Sequence, residues 1–349
     1  MPLLTPSWRR RLITAGIIFA VGSAEIIPAH AAATAAATTA ARSPTIPTST
    51  STTAPAHQPG FWQRLGDFFL PHPDRRKVLL QKQTPYFLIT VEEDYQHYRH
   101  LVFNPNHGSQ GIWDPATPQK IVSRYCRFST LFLTAITRPP QRVLFIGLGA
   151  GIVPRFVRER FPDTQIDLVE IDPEIPGIAA GYFGFARDDR MDIVIADGRD
   201  FINRTRKHYD VIFIDAYTAV NIPFQLTTVE FFRRIRAALT PHGIMVANIA
   251  HLGKDDFIGA EIRTAGTVFP ALAVFICGDG ANYLLLGRNG GAIDSARMKA
   301  AAEKLSLPAH PELNLADMIA TRMEPDELTD RTRGAIILKD DFAPVETLR

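Results

Sequence analysis

Cysteine is scarce in this chain of 349 residues, which contains only Cys126 and Cys277. Two cysteines allow at most one disulfide, and they form no paired motif for a structural metal. We therefore expect a packed apolar core, rather than a disulfide framework or a metal, to stabilise the fold. The two thiols can pair in an oxidising compartment, but a buried free thiol is the more common state of each.

An excess of charge of one sign is also lacking. The formal net charge is +2, and residues 1–31 contribute three arginines and one glutamate, so 35 basic and 35 acidic side chains remain beyond them. A neutral body argues against nucleic acid as the main partner, because phosphate binding requires a basic surface. With 46% hydrophobic and 21% charged residues, the composition excludes general disorder and a multi-span membrane protein.

The N-terminus has an apolar run, but not one long enough to cross a membrane comfortably. The run Leu12–Ala24 follows Arg9–Arg11 and precedes Ala29–Ala31, which is the charged, apolar and small-residue order of a secretory signal. We predict a signal peptide at 1–31, export to the periplasm or the medium, and no stable membrane span after cleavage. An uncleaved membrane anchor is the alternative.

Residues 32–59 consist mainly of Ala, Thr, Ser and Pro, a composition that predicts a disordered linker. Beyond it we predict three parts: a small N-terminal β region at 60–124, a Rossmann-like nucleoside-binding catalytic domain at 125–290, and a C-terminal helical segment at 291–349.

Two strand patterns, Phe87–Val91 and Tyr98–Phe103, predict antiparallel pairing in the small β region. After it, strand patterns alternate with helix patterns. Residues 227–230 read Thr-Thr-Val-Glu and predict a capping box before a helix, and residues 240–243 read Thr-Pro-His-Gly and predict a turn before the next strand. This alternation predicts an α/β fold with a doubly wound, mostly parallel Rossmann-like sheet, which closes with an antiparallel hairpin.

The first strand of that sheet ends in a glycine-rich turn. Gly147, Gly149 and Gly151 alternate with Leu148 and Ala150, and a helix pattern follows directly. Such a turn places backbone N–H groups and the positive end of a helix at the carboxyl edge of the sheet, where a nucleotide-like ligand can bind.

The next three strands each end in an acidic residue. Glu170 follows the second strand, Asp197 and Gly198 follow the third, and Asp215 follows the fourth. One such acid is weak evidence, because acids often cap helices, but three at one edge beside a glycine turn predict a binding site. The dinucleotide fingerprint requires a further glycine where this chain has Ile152, so the spacing does not favour NAD.

The Gly-x-Gly-x-Gly turn with these acids resembles the fold of transferases dependent on S-adenosylmethionine (AdoMet). In that pattern Glu170 holds the ribose and Asp197 accepts a hydrogen bond from the adenine amino group. More narrowly, the body resembles the spermidine synthase family, the polyamine aminopropyltransferases, and in particular its divergent spermidine synthase-like branch. The segments that carry this resemblance are Thr84–Tyr86, Gln110, Tyr125, 169–172, 196–198, 209–212, 214–217, 226–232 and 339–346.

The resemblance implies transfer of an aminopropyl group from decarboxylated AdoMet to a polyamine acceptor such as putrescine, without a metal. It assigns the catalytic base to Asp215, and it makes Tyr125 a residue that orients the amine, although a core tyrosine is an equal alternative. Gln110 and Tyr217 become substrate-binding residues. It also suits a homodimer formed through the N-terminal strands.

The chain departs from the family at three positions. Ala150 and Thr218 stand where the family has aspartates, and Cys126 stands where it usually has glutamine. Each charge-assisted contact contributes about 1.5 to 3 kcal/mol, so losing two weakens the binding of a dication by a few powers of ten. The absence of the aspartate at Ala150 also leads us to expect that intact AdoMet binds at least as well as its decarboxylated form.

Two alternative functions follow from these departures. One is an AdoMet-dependent methyltransferase, and the other is a catalytically silent protein that binds a nucleoside or a polyamine. Export adds a difficulty, because AdoMet is made in the cytoplasm. Either the signal is not used as predicted or the exported protein has another role.

Overall fold

The computed structural model of the chain describes residues 76–104, 108–217, 222–250, 255–278 and 280–344. All of them belong to the unit Pro59–Arg349. The predicted signal peptide, the predicted linker and Thr218 lie outside the described residues.

Four antiparallel strands form a small first sheet in chain order. The strands are β1 (Lys77–Gln83), β2 (Leu88–Glu93), β3 (Arg99–Phe103) and β4 (Ser109–Trp113). Ile89 and Val91 alternate along β2 and are both fully buried, because successive residues of a strand face opposite sides of the sheet. This sheet confirms the predicted small antiparallel β region.

Seven strands form the central sheet, in the order β10-β11-β9-β8-β5-β6-β7. The strands are β5 (Arg142–Ile146), β6 (Gln165–Glu170), β7 (Met191–Ile195), β8 (Tyr209–Ile214), β9 (Leu239–Ala250), β10 (Ala271–Cys277) and β11 (Asn282–Arg288). Strands β5 to β9 pair in parallel, and β11 pairs antiparallel with both β9 and β10. The predicted mostly parallel sheet with a closing hairpin is confirmed.

Helices cover both faces of the central sheet. They are α1 (Arg124–Ser129), α2 (Ile152–Arg160), α3 (Ile175–Tyr182), α4 (Gly198–Arg204), α5 (Val229–Ala238), α6 (Asp255–Val268), α7 (Ser295–Lys304), α8 (Leu315–Ala320) and α9 (Pro325–Thr332). On β5, Val143 and Phe145 pack with one apolar cluster, whereas Leu144 and Ile146 pack with the other. A strand buried on both faces has a continuous apolar sequence, as β5 does.

Two local predictions need adjustment. Residues 240–243, predicted as a turn before a strand, lie within β9, where the register with β8 jumps from Leu239 to Ile244. The predicted capping box is shifted by one residue, because Thr228 is the N-cap of α5. Glu230 instead accepts a hydrogen bond from the backbone of Asp340 at 3.1 Å.

The C-terminal residues are fastened to the central sheet and its helices. The backbone N–H of Met323 donates to Val274 O on β10 at 2.8 Å, and that of Val229 donates to Leu338 O at 2.9 Å. Leu338 in turn donates to the hydroxyl of Thr264 on α6. Within the described part of the chain, every helix is too short or too polar to cross a membrane.

Candidate functional site

The carboxyl ends of β5, β6, β7 and β8 meet at one edge of the central sheet. Strand β5 has β6 on one side and β8 on the other, and ligands of open α/β sheets bind at such a switch in strand order. A cavity of about 460 Å³ opens at this edge. All ten residues predicted from the sequence line it: Gln110, Tyr125, Gly147, Gly149, Gly151, Glu170, Asp197, Gly198, Asp215 and Tyr217.

The glycine turn forms the floor of the cavity and has a backbone that other residues adopt poorly. Gly147, Gly149 and Gly151 have φ angles of 99°, 52° and 70°, in the left-handed region that favours glycine. A Cβ on Gly147 would lie 2.3 Å from the carbonyl oxygen of Asp215, whereas one on Gly149 would meet no atom within 4 Å. The turn therefore packs closely against the end of β8 and leaves open space above Gly149.

Glu170 holds the glycine turn in place. Its Oε2 accepts from the backbone N–H of Leu148 and its Oε1 from that of Asp172, both at 3.0 Å. Burial raises the pKa of Glu170, and the backbone donors partly oppose that rise. Each carboxylate oxygen has a second lone pair, so Glu170 can bind these amides and still accept from a ribose hydroxyl.

Asp197 is the N-cap of α4. Its Oδ1 accepts from the backbone N–H of Arg199 at 2.7 Å and of Asp200 at 3.1 Å. Its Oδ2 is approached by the side-chain amide of Gln225 at 3.4 Å. Helix capping therefore occupies one oxygen, and the other remains available to a donor in the cavity. Gly198, the first residue of α4, lies against Ile146, since a Cβ there would be 2.5 Å from its Cγ2.

Asp215 directly follows β8, on the opposite side of β5 from Glu170. Its Oδ1 accepts from the side-chain amide of Asn248 at 2.8 Å, and Asn248 Oδ1 accepts from the amide of Asn282 at 2.9 Å. Removal of the carboxylate from solvent raises the pKa of Asp215 to about 6, and the Asn248 hydrogen bond opposes the rise. At neutral pH the side chain is mostly ionised, so it can accept a proton.

Tyr125 and Gln110 form one contact at the wall of the cavity. The Tyr125 hydroxyl donates to the backbone oxygen of Gln110 at 2.6 Å. Burial raises the pKa of Tyr125 well above its usual value, and the negative charge of Asp215 contributes to the rise. The hydroxyl is therefore a satisfied neutral donor, and the oxygen retains a lone pair for a ligand.

Tyr217 has a hydroxyl that the protein itself uses as both donor and acceptor. It donates to Asn248 O at 2.5 Å and accepts from the N–H of Ala250 at 2.7 Å. Both bonds join the segment after β8 to the end of β9. What Tyr217 offers the cavity is mainly its ring.

Ala150 packs beneath the small sheet. A Cβ on Gly111 of β4 would lie 2.6 Å from the Cβ of Ala150, so the two positions fit only because both are small. Thr84 makes a second connection between the sheets, because its hydroxyl donates to Asp172 at 2.5 Å. The small sheet therefore lies over the glycine turn and the end of β6.

Cys126 lines the cavity beside Tyr125, while Cys277 ends β10. Both are buried free thiols, and burial raises the pKa of each. They are therefore poor nucleophiles.

The cavity is negatively charged. Glu170, Asp197 and Asp215 are its carboxylates, and no Lys, Arg or His belongs to its lining as far as the structure describes the chain. Across the same described residues, no group of three or more His, Cys, Asp or Glu side chains is placed to hold a metal ion. Such a cavity favours a cationic ligand.

Sequence reasoning missed several residues of this site. Asn248 lies at the end of β9, which is the parallel neighbour of β8. The reasoning that polar residues at the carboxyl ends of parallel strands meet at one edge therefore applied to Asn248 as well. Its only sequence signal is one polar residue in an apolar strand. Gln225 and the aromatic residues Tyr86, Phe87 and Phe103 also line the cavity. Tyr86 belongs to the segment Thr84–Tyr86 that carries the family resemblance, but no local pattern marked any of the four as a site residue.

Comparison with protein families gives a match over residues 131–277 to the spermine/spermidine synthase domain. A polyamine aminopropyltransferase of Vibrio vulnificus is 28% identical over 78% of this chain and 92% of its own length. One of Chromobacterium violaceum is 33% identical over 51% of this chain and 67% of its own length.

Other relatives share only part of their length. An eEF1A lysine and N-terminal methyltransferase of Bos taurus is 36% identical over 39% of this chain, and the match spans only 21% of that protein's length. Among solved structures, a probable spermidine synthase from Corynebacterium glutamicum superposes with a TM-score of 0.60 at 20% identity. That match covers 76% of this chain and 97% of the other, and it supports the fold.

Proposed function

The chain belongs to the spermidine synthase family, and from this premise we propose that it transfers an aminopropyl group from decarboxylated AdoMet to an amine. The observation that carries the proposal is the convergence of Glu170, Asp197 and Asp215 on one cavity over a glycine turn. The acids provide the nucleoside contacts and the base that this reaction needs, and they lie at separate strand ends.

The nucleoside half of the substrate fits over β6 and β7. Glu170 there has lone pairs for ribose hydroxyls, and Asp197 Oδ2 is available to the adenine amino group. The positive sulfonium then lies over β5, between these two acids and Asp215. Its charge is stabilised by carboxylates on both sides.

The chemical step joins the acceptor nitrogen to the aminopropyl carbon beside sulfur. The carbon–sulfur bond breaks, and its electron pair stays on sulfur to give methylthioadenosine. The new bond leaves a positive nitrogen, whose proton passes to Asp215. With a pKa of about 6, the Asp215 carboxylate is ionised at neutral pH and near the optimum for a general base.

The charge of the cavity bears on the choice of donor. Intact AdoMet adds a carboxylate to a lining that already has three acids and no described cationic side chain. This weighs against the expectation drawn from Ala150 that intact AdoMet binds at least as well. We expect calorimetry to show tighter binding of the decarboxylated donor; tighter binding of AdoMet would favour a different transfer.

The direct test is to incubate the purified protein with each donor and a panel of primary amines, and then to weigh the products. An aminopropylated amine together with methylthioadenosine supports the proposal. A methylated product contradicts it, as does the absence of any product while the nucleoside binds.

A pair of variants connects the activity to the site. Asp215→Asn should lower kcat by about 10²- to 10⁴-fold, the usual contribution of a general base, with little change in methylthioadenosine affinity. Asp163→Asn is the control, because Asp163 is almost fully exposed and does not line the cavity. Equal loss of activity in both variants would remove Asp215 from the mechanism.

A further inference from the structure

The two halves of the cavity differ in the carboxylates that they offer to a ligand. On the nucleoside side, both Glu170 oxygens and Asp197 Oδ1 accept backbone N–H groups. On the other side of β5, Asp215 is the only carboxylate among the described lining residues. One oxygen of Asp215 accepts from Asn248, so the other is available to an acceptor.

The side chains around Asp215 are neutral. Tyr125, Tyr217, Cys126 and Asn248 line this half of the cavity, and burial keeps the two phenols and the thiol protonated. The hydroxyl protons of both tyrosines are donated to backbone oxygens. These groups can contact an uncharged ligand, but they cannot neutralise a second ammonium. A further acid near Tyr217, Glu261 of α6, is buried outside the cavity lining, and burial raises its pKa well above the ordinary value, which favours its neutral form.

Two segments that lie outside the described residues contain no acid in their sequence. Residues 218–221, which follow β8 in the chain, read Thr-Ala-Val-Asn, and residues 251–254, which follow β9, read His-Leu-Gly-Lys. Neither segment contains Asp or Glu.

We propose that the acceptor is a small amine with a single ionisable nitrogen and an uncharged remainder, bound with that nitrogen against Asp215. The inference rests on the proposed function and narrows its substrate class. A diamine that presents one nitrogen to Asp215 would leave its second ammonium without a further carboxylate among the described lining residues of this half of the cavity. Since burying an ammonium that is left unpaired costs tenfold or more in affinity, we expect monoamines to be preferred by about that factor.

The cavity volume is consistent with a small acceptor. At about 460 Å³, it lies toward the lower end of the range of ~300 to 1,000 Å³ for ligand sites, and it must hold a nucleoside as well.

The test compares n-butylamine with putrescine, which share a four-carbon chain and differ in the second amine. Each is titrated calorimetrically into the full-length protein saturated with methylthioadenosine. We expect n-butylamine to bind at least tenfold more tightly, and Asp215→Asn to remove that binding while Asp163→Asn preserves it. Equal or tighter binding of putrescine would overturn the inference.

Turnover with the decarboxylated donor separates this inference from the proposed function. If n-butylamine binds preferentially but no amine is converted, the proposed function fails and the account of the acceptor site stands. If putrescine is converted more efficiently than n-butylamine, the family reaction stands and the single-nitrogen acceptor is wrong.

Discussion

Asp215 combines a desolvated carboxylate with one side-chain donor, the amide of Asn248. Its pKa in the folded protein, about 6, exceeds the ordinary value of 3.8. A raised pKa means that folding favours the protonated form. The same desolvation that prepares the residue as a base therefore reduces stability at neutral pH.

The first prediction concerns this stability. The contribution of Asp215 to wild-type stability should fall as pH rises from about 4 to about 6, because the folded state holds the Asp215 proton more tightly over this window. Asp94 and Asp114, whose pKa values are lowered, act in the opposite direction. Asp215→Asn removes that dependence, so its stability relative to wild type should increase by up to about 3 kcal/mol across the window and stay level above it. Urea unfolding at several pH values measures the difference. A constant difference from pH 4 to 7 would contradict the raised pKa.

The second prediction concerns Asn248, a positioning residue whose hydrogen bond lowers the pKa of Asp215. Asn248→Ala should move the acid-side break in the pH profile of kcat/KM upward by about half to one pH unit, since one hydrogen bond contributes about 0.5 to 1.5 kcal/mol. Asn289→Ala is the matched control, because Asn289 bonds Arg236 and the start of β9. If Asn248→Ala lowers kcat but leaves the acid-side break of the pH profile unmoved, Asn248 has only a structural role.

Among the elements, the turn from β5 to α2 restricts most strongly which residues can occupy its positions. Gly147 has a φ of 99° and lies against the backbone of Asp215, whereas the Cβ direction of Gly149 points into open space. Steric exclusion at the first position and conformational preference at the second are separable effects.

The third prediction uses this pair of glycines. Gly147→Ala should destabilise the protein by about 3 kcal/mol or more, because strain in φ adds to a clash with backbone. Gly149→Ala should lower the free energy of unfolding by only about 1 kcal/mol and act mainly by weakening nucleoside binding. Urea unfolding and calorimetry with methylthioadenosine separate the two effects. Similar loss of stability in both variants would contradict the described packing.

The elements that sequence predicts well are those with strong local signals. An apolar run followed by Gly147, Gly149 and Gly151 predicts strand β5 and the glycine turn. An acid follows each of the next three strands. Parallel pairing then brings the strand ends together without further information. This is why the three glycines, the three acids and Gly198 line one cavity, whereas Gln110, Tyr125 and Tyr217 were predicted from the family resemblance.

The contacts that sequence does not reveal depend on tertiary neighbours. Asn248 meets Asp215 only because β9 lies beside β8, and Gln225 meets Asp197 from a distant part of the chain. The N-cap of α5 moved from the predicted box to Thr228, whose hydroxyl also binds Asp340 at 2.6 Å. Long-range bonds of this kind override local preference.

For the whole molecule, the small sheet and the central sheet act as one unit at the cavity. Thr84 binds Asp172 at the end of β6, and Gly111 packs against Ala150. The cavity therefore has lining residues from both sheets. The dimer expected from the family resemblance remains a prediction.

The fourth prediction concerns where the protein acts. We propose that residues 1–31 direct export and are removed after Ala31, since Arg9–Arg11, the apolar run and Ala29–Ala31 follow the order of a secretory signal. Cell fractionation should find the protein outside the cytoplasm, and its mass should correspond to a chain that begins at residue 32. A cytoplasmic chain of full mass would show that the signal is not used. The protein would then be in the compartment where AdoMet is made.

The central claim is that one cavity binds a sulfonium nucleoside between Glu170, Asp197 and Asp215. A crystal structure of the protein with methylthioadenosine tests it most directly. We predict that the ribose hydroxyls lie within hydrogen-bond distance of Glu170, the adenine amino group beside Asp197 Oδ2, and the sulfur over β5 facing Asp215. A nucleoside bound elsewhere, or bound here with its sulfur directed away from Asp215, would contradict the account.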